Sequence, residues 1–385
     1  MSEPDFFVDW ITISQRFPEL AGNLPLFHDG FFINLDSDGN PIYQVQKSSK
    51  IEGSYDSRLM LRCDGETVYL SGNVGAFGRP DNVFGYSLEQ VISKCNVLLT
   101  SIGLPPFTHS ATGEFIDSYS FKTRRNTVKY VYDGARVSRL DLTANYSLGS
   151  FDDAISYMAY MSSKKSFRVK QRSYGAGETV QTVSYGTDEH SASKYVVSKL
   201  YVKSEEMEVH KKKYLYKNDN KGKQLRLTGK YSDYLHKLVD YVKSNGFVRY
   251  EVTFKARFLN ESGLNFLGAL KKHRLSEIYK SRSSHVFTDF SVSNTVNLPR
   301  ATLRAFNDWK SGVSLRTLFS KPTFYHHRKL ILECGFDISY PYTDSVMDFL
   351  TKRKVEIRKA VKPDFYFLPE ISNHVPQLSE DFNYG

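Results

Sequence analysis

Long apolar runs are missing from this chain, and so is any grouping of cysteines. No stretch approaches the roughly 18 consecutive apolar residues that cross a bilayer, so no membrane span or membrane partner is expected. Three cysteines occur in 385 residues. Cys63, Cys95 and Cys334 lie too far apart for a disulfide framework or a zinc site, and read as reduced thiols of a cytoplasmic protein. The start, Met1-Ser2-Glu3-Pro4-Asp5, is acidic and lacks a signal-peptide pattern. A phosphate loop is lacking as well. Gly72, Gly75 and Gly78 have the wrong spacing for a nucleotide fingerprint, and no Lys-Ser/Thr follows them. The acidic stretch Asp36–Pro41 lacks the late glutamate of a calcium loop and reads as a hairpin turn.

Positive charge and aromatic rings are abundant. Lys and Arg number 52 against 42 Asp and Glu, giving a formal net charge of +10 and a pI near 9.2. A basic balance favours an anionic partner. With 40% hydrophobic and 14% aromatic residues, the chain has material for a real core. Its length suits two or three domains.

Three expected strands carry charge in the middle of one face. In Ser138–Thr143, Arg139, Asp141 and Thr143 alternate with Leu140 and Leu142. In Val248–Phe254, Arg249, Glu251 and Thr253 alternate with Tyr250, Val252 and Phe254. In the run through Tyr195-Val196-Val197 to Lys199-Leu200-Tyr201-Val202-Lys203, Tyr201 and Lys203 are two apart and share a strand face. Mid-strand charge is expensive unless it is paired, binds a metal or lines a cleft. One reading is structural Arg–carboxylate bridging. The other is a divalent-metal site on Asp141 and Glu251, with Glu206 a further oxygen donor, beside a tyrosine nucleophile. Oxygen ligands suit Mg²⁺ or Mn²⁺. An ordinary phenol has a pKa near 10, and the Lys203 ammonium is placed to favour phenolate or to hold a phosphate oxygen.

Further along, Ser87 opens a helix closed by Gly103-Leu104-Pro105-Pro106, and helices are expected at Phe151–Met161, Ser204–Lys217 and Tyr231–Asn245. The Ser204–Lys217 helix carries Lys211, Lys212 and Lys213. Lys122–Arg125 and Lys164–Arg172 are basic, the latter with Phe167 interleaved, a composition suited to single-stranded DNA. Beyond residue 265 helices dominate, with Leu264–His273 and Leu298–Trp309 as candidates. Leu315–Phe319, a turn, and Thr323–Cys334 with Pro322 in the first turn resemble a helix-turn-helix. Its groove-facing candidates are Tyr325, His326, Arg328 and Lys329, with Val355–Ala360 as an adjoining wing. The expected division is an N-terminal α+β region 1–115, a core 116–262 and a helical region 263–385. The fold class is α+β, an antiparallel sheet with packed helices followed by a helical C-terminal domain.

The order of Ser138–Thr143, Tyr201-x-Lys203-x-x-Glu206 and Val248–Glu251, with Asn82–Gly85 before a helix and Leu332–Gly335 late in the chain, resembles the replication initiators of filamentous bacteriophages, the gene II/X family. The resemblance runs from about residue 80 to 365. The Tyr185–Glu251 segment is also similar to rolling-circle plasmid initiators. The chain departs from His-hydrophobic-His nickases: His326 and His327 are adjacent. The resemblance implies an origin-specific nickase and strand transferase that starts rolling-circle replication. Tyr201 forms a 5′-phosphotyrosine, Asp141 and Glu251 hold Mg²⁺ or Mn²⁺, and Arg139 and Arg249 orient carboxylates or contact DNA. It implies double-stranded origin DNA and single-stranded DNA as partners, then host helicase and polymerase, in the cytoplasm of a bacterial host. The alternative is a non-catalytic protein that binds the origin or single-stranded DNA.

Overall fold

The computed structural model describes residues 6–368 apart from 56, 110–112, 121–124, 133, 164–169, 177–178, 188–190, 219–223, 227–231, 288–297, 334–335, 337, 340–341 and 343–356. The chain divides into two compact units. One holds residues 1–143, 253–279 and 367–385, and the other holds 144–252 and 280–366.

The first unit is built on β1 (Phe7–Arg16), β2 (Leu26–Phe27), β3 (Phe31–Leu35), β4 (Pro41–Gln46), β5 (Ser49–Glu52), β6 (Arg58–Asp64), β7 (Thr67–Gly72), β8 (Gly113–Ser120), β9 (Arg125–Tyr132) and the start of β10 (Arg136–Ser147). The order β10-β1-β7-β6-β2 forms a sheet, and β5 also pairs with β6. β1 lies antiparallel to both β10 and β7. Alternation explains the burial: Ile11 and Ile13 on β1, Leu140 and Leu142 on β10, and Leu59 and Leu61 on β6 are wholly buried. The helix Leu88–Ser101 packs on β1 and buries Val91, Ile92, Cys95, Leu98 and Leu99. Its start is fixed by a capping box: the Gln90 amide donates to Ser87 Oγ and the Ser87 amide donates to Gln90 Oε1, which satisfies two otherwise orphan donors. The hairpin β3–β4 stands apart as its own two-stranded sheet, as does β8–β9. At the tip of β3–β4 the Asp36 carboxylate accepts from the amides of Asp38 and Asn40, an Asx turn. Cys63 and Cys95 are buried free thiols.

The second unit contains β11 (Gln171–Ala176), β12 (Thr179–Tyr185), β13 (Val196–Val202), β14 (Tyr216–Asn218), β15 (Gln224–Arg226), β16 (Phe247–Lys255) and β17 (Arg358–Lys359). Here the order is β11-β12-β13-β16-β10, with β17 also paired to β10. The helix Phe151–Ser163 packs on β12 and β13, burying Ala154, Tyr157 and Met158 with Val183, Leu200 and Val202. Tyr157 and Tyr250 bring phenols into the core and donate to the Val286 and Arg282 carbonyls, which offsets the cost of burying a hydroxyl. Helices Lys203–Leu215 and Ser232–Ser244 pack on one another, and Arg300–Lys310, Leu315–Leu318 and Lys321–Glu333 form a cluster. The result is an α+β protein with a large antiparallel sheet and C-terminal helices.

Three local expectations differ from the structure. Leu264–His273 is not one helix. A 3-10 turn spans Leu267–Ala269 and the helix begins at Lys272. Leu264, Leu267 and Leu270 are the buried residues, a spacing of three that fits three residues per turn. Of the expected Val355–Ala360 wing, residues 355–356 lie outside the described residues, and Arg358 and Lys359 form a two-residue strand, β17, paired with Ser147 and Tyr146. Finally, β13 stops at Val202 and a helix starts at Lys203, so the strand-face parity that joined Tyr201 to Lys203 does not extend across the junction. Glu205 and Glu206 in the first turn suit the helix dipole there.

Candidate functional site

In the second unit, β13 with Tyr201 and β16 with Arg249 and Glu251 are hydrogen-bonded neighbours, while Arg139 and Asp141 lie on the part of β10 that belongs to the first unit. On β13, Ser198, Leu200 and Val202 are buried, while Tyr201 is half-buried. Tyr201 stands opposite Thr182 of β12. On β16, Val248, Tyr250, Val252 and Phe254 face the core, while Glu251 and Thr253 are half-buried.

In the second unit, charge collects where β13 gives way to the helix. Lys203 is wholly buried and ion-paired with Glu206, and His210 Nε2 lies 3.2 Å from the other Glu206 oxygen. Burial pushes the Glu206 carboxyl up. The Lys203 ammonium, the hydrogen bond with His210 and the Arg249 charge outweigh it and hold it far below the usual carboxylate range. Glu206 therefore stays ionised. Gln181 on β12 donates to Glu205 at 2.9 Å, tying the same helical turn back to the sheet. Arg249 is fully buried and its Nε donates to Asn145 Oδ1 at 2.8 Å.

In the first unit, Asp141 is buried and receives a bidentate bond from Arg139, Nε to Oδ1 at 3.0 Å and Nη2 to Oδ2 at 2.6 Å. Burial raises the Asp141 carboxyl above its ordinary value, the Arg139 guanidinium pulls it down, and the charge of Asp9 raises it again. A side-chain hydrogen bond from Thr253 also favours the carboxylate. The Arg139 guanidinium lies over the Trp10 ring, 4.8 Å from its centroid. Trp10 Nε1 in turn donates to Ser71 Oγ at 3.2 Å. Trp10 stands opposite Asp141, and a bulge between Val8 and Trp10 leaves Asp9 out of register. Asp9 Oδ1 accepts from the side-chain amides of Asn73 and Asn82 at 2.9 and 3.3 Å.

Asp9, Trp10 and Asn145 are absent from the sequence-derived site. A signal for Asp9 existed: it is the one charged residue in the largely apolar run Phe6–Ile13, the same costly pattern that singled out Asp141 and Glu251. Asn145 had none, because its role appears only when β10 and β16 are neighbours.

Among the described residues, no group of three or more His, Cys, Asp or Glu is arranged to hold a metal ion. Both Asp141 oxygens already face Arg139, and Glu206 faces Lys203 and His210. As arranged, these donors do not fit a preformed divalent-ion site.

Of the expected groove-facing residues, Tyr325, His326 and Lys329 are exposed and Arg328 is half-buried. His327 instead turns inward, with Nδ1 3.0 Å from Thr302 Oγ1. Burial and the neighbouring His326 lower its pKa. Lys211, Lys212 and Lys213 lie in the helix Lys203–Leu215, but their side chains lie outside the described residues, as do residues 121–124 and 164–169 of the other basic segments. No helix among the described residues is long and apolar enough to cross a membrane.

Residues 5–273 match the N-terminal family of the phage replication-associated gene 2 proteins, and residues 291–372 match the C-terminal family of the same proteins. The chain belongs to the phage replication-associated gene 2 protein family. It is similar to the replication-associated protein of Escherichia phage If1, 24% identical over 326 residues, covering 79% of this chain and 96% of that one. The replication-associated protein of Enterobacteria phage I2-2 is 22% identical over 349 residues, covering 86% and 88%. A solved rolling circle replication initiator protein from Geobacillus stearothermophilus aligns over 79% of this chain and 96% of its own, at 11% identity and a TM-score of 0.28. A superposition that loose says nothing about shared geometry.

Proposed function

We propose that this member of the gene 2 protein family initiates rolling-circle replication of a filamentous phage by cutting one strand at the phage origin with Tyr201. The observation that carries this reading is strand order. Within the second unit, the half-buried Tyr201 phenol sits on β13, beside the strand that bears Arg249 and Glu251. In the proposed step the Tyr201 phenolate oxygen attacks the scissile phosphorus. The bond to the 3′ oxygen breaks, and that oxygen takes up a proton and becomes the primer 3′ hydroxyl. Tyr201 keeps the 5′ phosphate as a diester, so the bond energy is conserved and a later attack by a 3′ hydroxyl rejoins the strand without ATP.

Lys203 enters as a positioning residue, because it is buried and paired with Glu206. Arg139 and Arg249 are assigned to orienting Asp141 and the core of the site. The family resemblance implies Mg²⁺ or Mn²⁺, although Asp141 and Glu206, engaged by Arg139, Lys203 and His210, form no ready site for it. Contacts to duplex origin DNA are assigned to Tyr325, His326, Arg328 and Lys329, and to single-stranded DNA or phosphate to Lys211, Lys212 and Lys213. The site of action is the bacterial cytoplasm, where host helicase opens the duplex and host polymerase extends the primer.

A second reading has its own observation. The bidentate Arg139–Asp141 bridge is what a structural ion pair looks like, and it favours a non-catalytic origin-binding protein. One assay separates the two: supercoiled DNA carrying the cognate phage intergenic region, divalent metal, wild type against Tyr201→Phe. Nicked circles and protein attached to the 5′ end are expected for wild type and absent from the variant, with duplex affinity within a few fold. Tight binding with no cleavage under Mg²⁺ or Mn²⁺ establishes the second reading instead.

A further inference from the structure

The hairpin β3–β4 carries more uncovered apolar surface than a monomer has use for. Phe31, Phe32, Ile33, Leu35, Ile42, Tyr43 and Val45 are each between 44 and 62% exposed. The register puts Phe32 opposite Val45 and Asn34 opposite Tyr43, so Phe32, Tyr43 and Val45 share one face while Phe31 and Ile33 share the other. Both faces are therefore apolar, and neither strand joins the larger sheet. A two-stranded hairpin is marginal in water by itself. At roughly 100 Å² of exposed surface from each of seven large side chains, the two faces together approach the ~800 Å² per partner of a stable interface, which a partner reaches only by wrapping both.

Charge identifies the occupant. From residue 29 to residue 46 the chain has Asp29, Asp36 and Asp38 and no Lys or Arg. That excess of three negative charges sits in a chain of net +10, so the remainder carries an excess of thirteen positive charges. Cations stand only at the base of the hairpin, where Lys47 follows β4 and Arg62 bonds the Gln46 carbonyl, so a DNA strand laid along the strands and the acidic tip would be repelled, whereas the rest of this same chain is apolar in part and strongly basic. We propose that the β3–β4 hairpin is a dimerisation arm that docks, apolar faces inward and acidic tip against basic side chains, on a second copy of this chain. A two-fold arrangement uses the contact twice, each copy lending its arm to the other.

The test is sedimentation velocity of the full-length, nuclease-treated protein over a concentration series, comparing wild type with Phe32→Ser/Tyr43→Ser and with Phe31→Ser/Ile33→Ser. Wild type is expected to form a dimer, and each double variant to weaken it at least tenfold. Both should keep the wild-type melting temperature within a few degrees, because the hairpin lies outside the core. Independently, a photo-crosslinking amino acid at Val45 in the otherwise wild-type chain is expected to give a band of twice the chain mass on a denaturing gel. A wild type that stays monomeric up to about 100 μM, a concentration at which any useful self-affinity shows, overturns the proposal. So does a dimer indifferent to all four substitutions, or a crosslink that captures only other proteins or DNA.

Discussion

Replacing Glu206 by Gln should destabilise the second unit far more than a half-exposed glutamate ordinarily would. The reason is Lys203, whose side chain is wholly buried and ion-paired with Glu206. Taking away one partner of a buried ion pair costs about 3–5 kcal/mol, because the other charge is left in a low-dielectric site. The Glu206 side chain retains 29% exposure, so screening by water trims the figure to about 2–4 kcal/mol. For a unit of roughly 200 residues each kcal/mol moves the melting temperature by about 2–4 °C. A fall of roughly 5–15 °C in calorimetry follows. Lys203→Met removes the stranded ammonium, so the double variant should recover part of the loss, and the cycle should return a coupling above about 1 kcal/mol.

The pH dependence carries the same logic. The folded-state pKa of Glu206 is depressed, so its contribution is fully present above the unfolded value of about 4.3. It fades as pH falls through the folded value. The gap between wild type and Glu206→Gln should thus be widest near neutrality and close steadily below about pH 4. A loss under about 1 kcal/mol at pH 7, or a gap that widens in acid, refutes the assignment of Glu206 as the counter-charge of a buried lysine.

Arg139→Ala should cost about 3 kcal/mol at neutral pH, since it strands the buried Asp141 carboxylate and uncovers Trp10. The folded-state pKa of Asp141 is already raised, so the penalty should shrink on mild acidification as the carboxyl neutralises, which chemical denaturation at several pH values reads directly. Gly246→Ala should destabilise severely, because Gly246 has φ +56° and an added Cβ would lie 1.9 Å from the Ser150 carbonyl oxygen. Gly39→Ala, with φ +84° in open space, should cost only about 1 kcal/mol, and urea midpoints compare the two. Ser87→Ala should lose about 1 kcal/mol with the capping box, visible as a small drop in melting temperature.

Periodicity and chain punctuation made most elements legible in advance. The cap at Ser87, the helix Phe151–Ser163, the helix closed by Gly246, and Pro322 in the first turn of the last described helix are local facts of sequence, and local physics decides them. The helix was expected from Ser204, one residue late, because alternation of apolar and polar residues continues through Lys203 while the backbone there changes period from two to 3.6. The buried position of Lys203 followed from that change, not from composition. The short β17 was unreadable, since a two-residue strand exists only through its partner on β10. The polar strand middles were the most informative signal, and also an ambiguous one. Alternation placed Arg139, Asp141, Arg249 and Glu251 correctly away from the leucines and valines of their strands. It could not say which cation each carboxylate meets. Folding answers that for Asp141 with its own neighbour two residues back, and for Glu206 with the first residue of its own helix. Each pairing gives a carboxylate a structural reason to sit inside a sheet-based core, which moves the weight of the chemical question onto the half-buried Tyr201. A phenol that only filled space would cost little to replace by phenylalanine in either stability or cleavage. The two outcomes separate at Tyr201→Phe: a silent change in the melting temperature, together with loss of the nick, assigns its hydroxyl to chemistry.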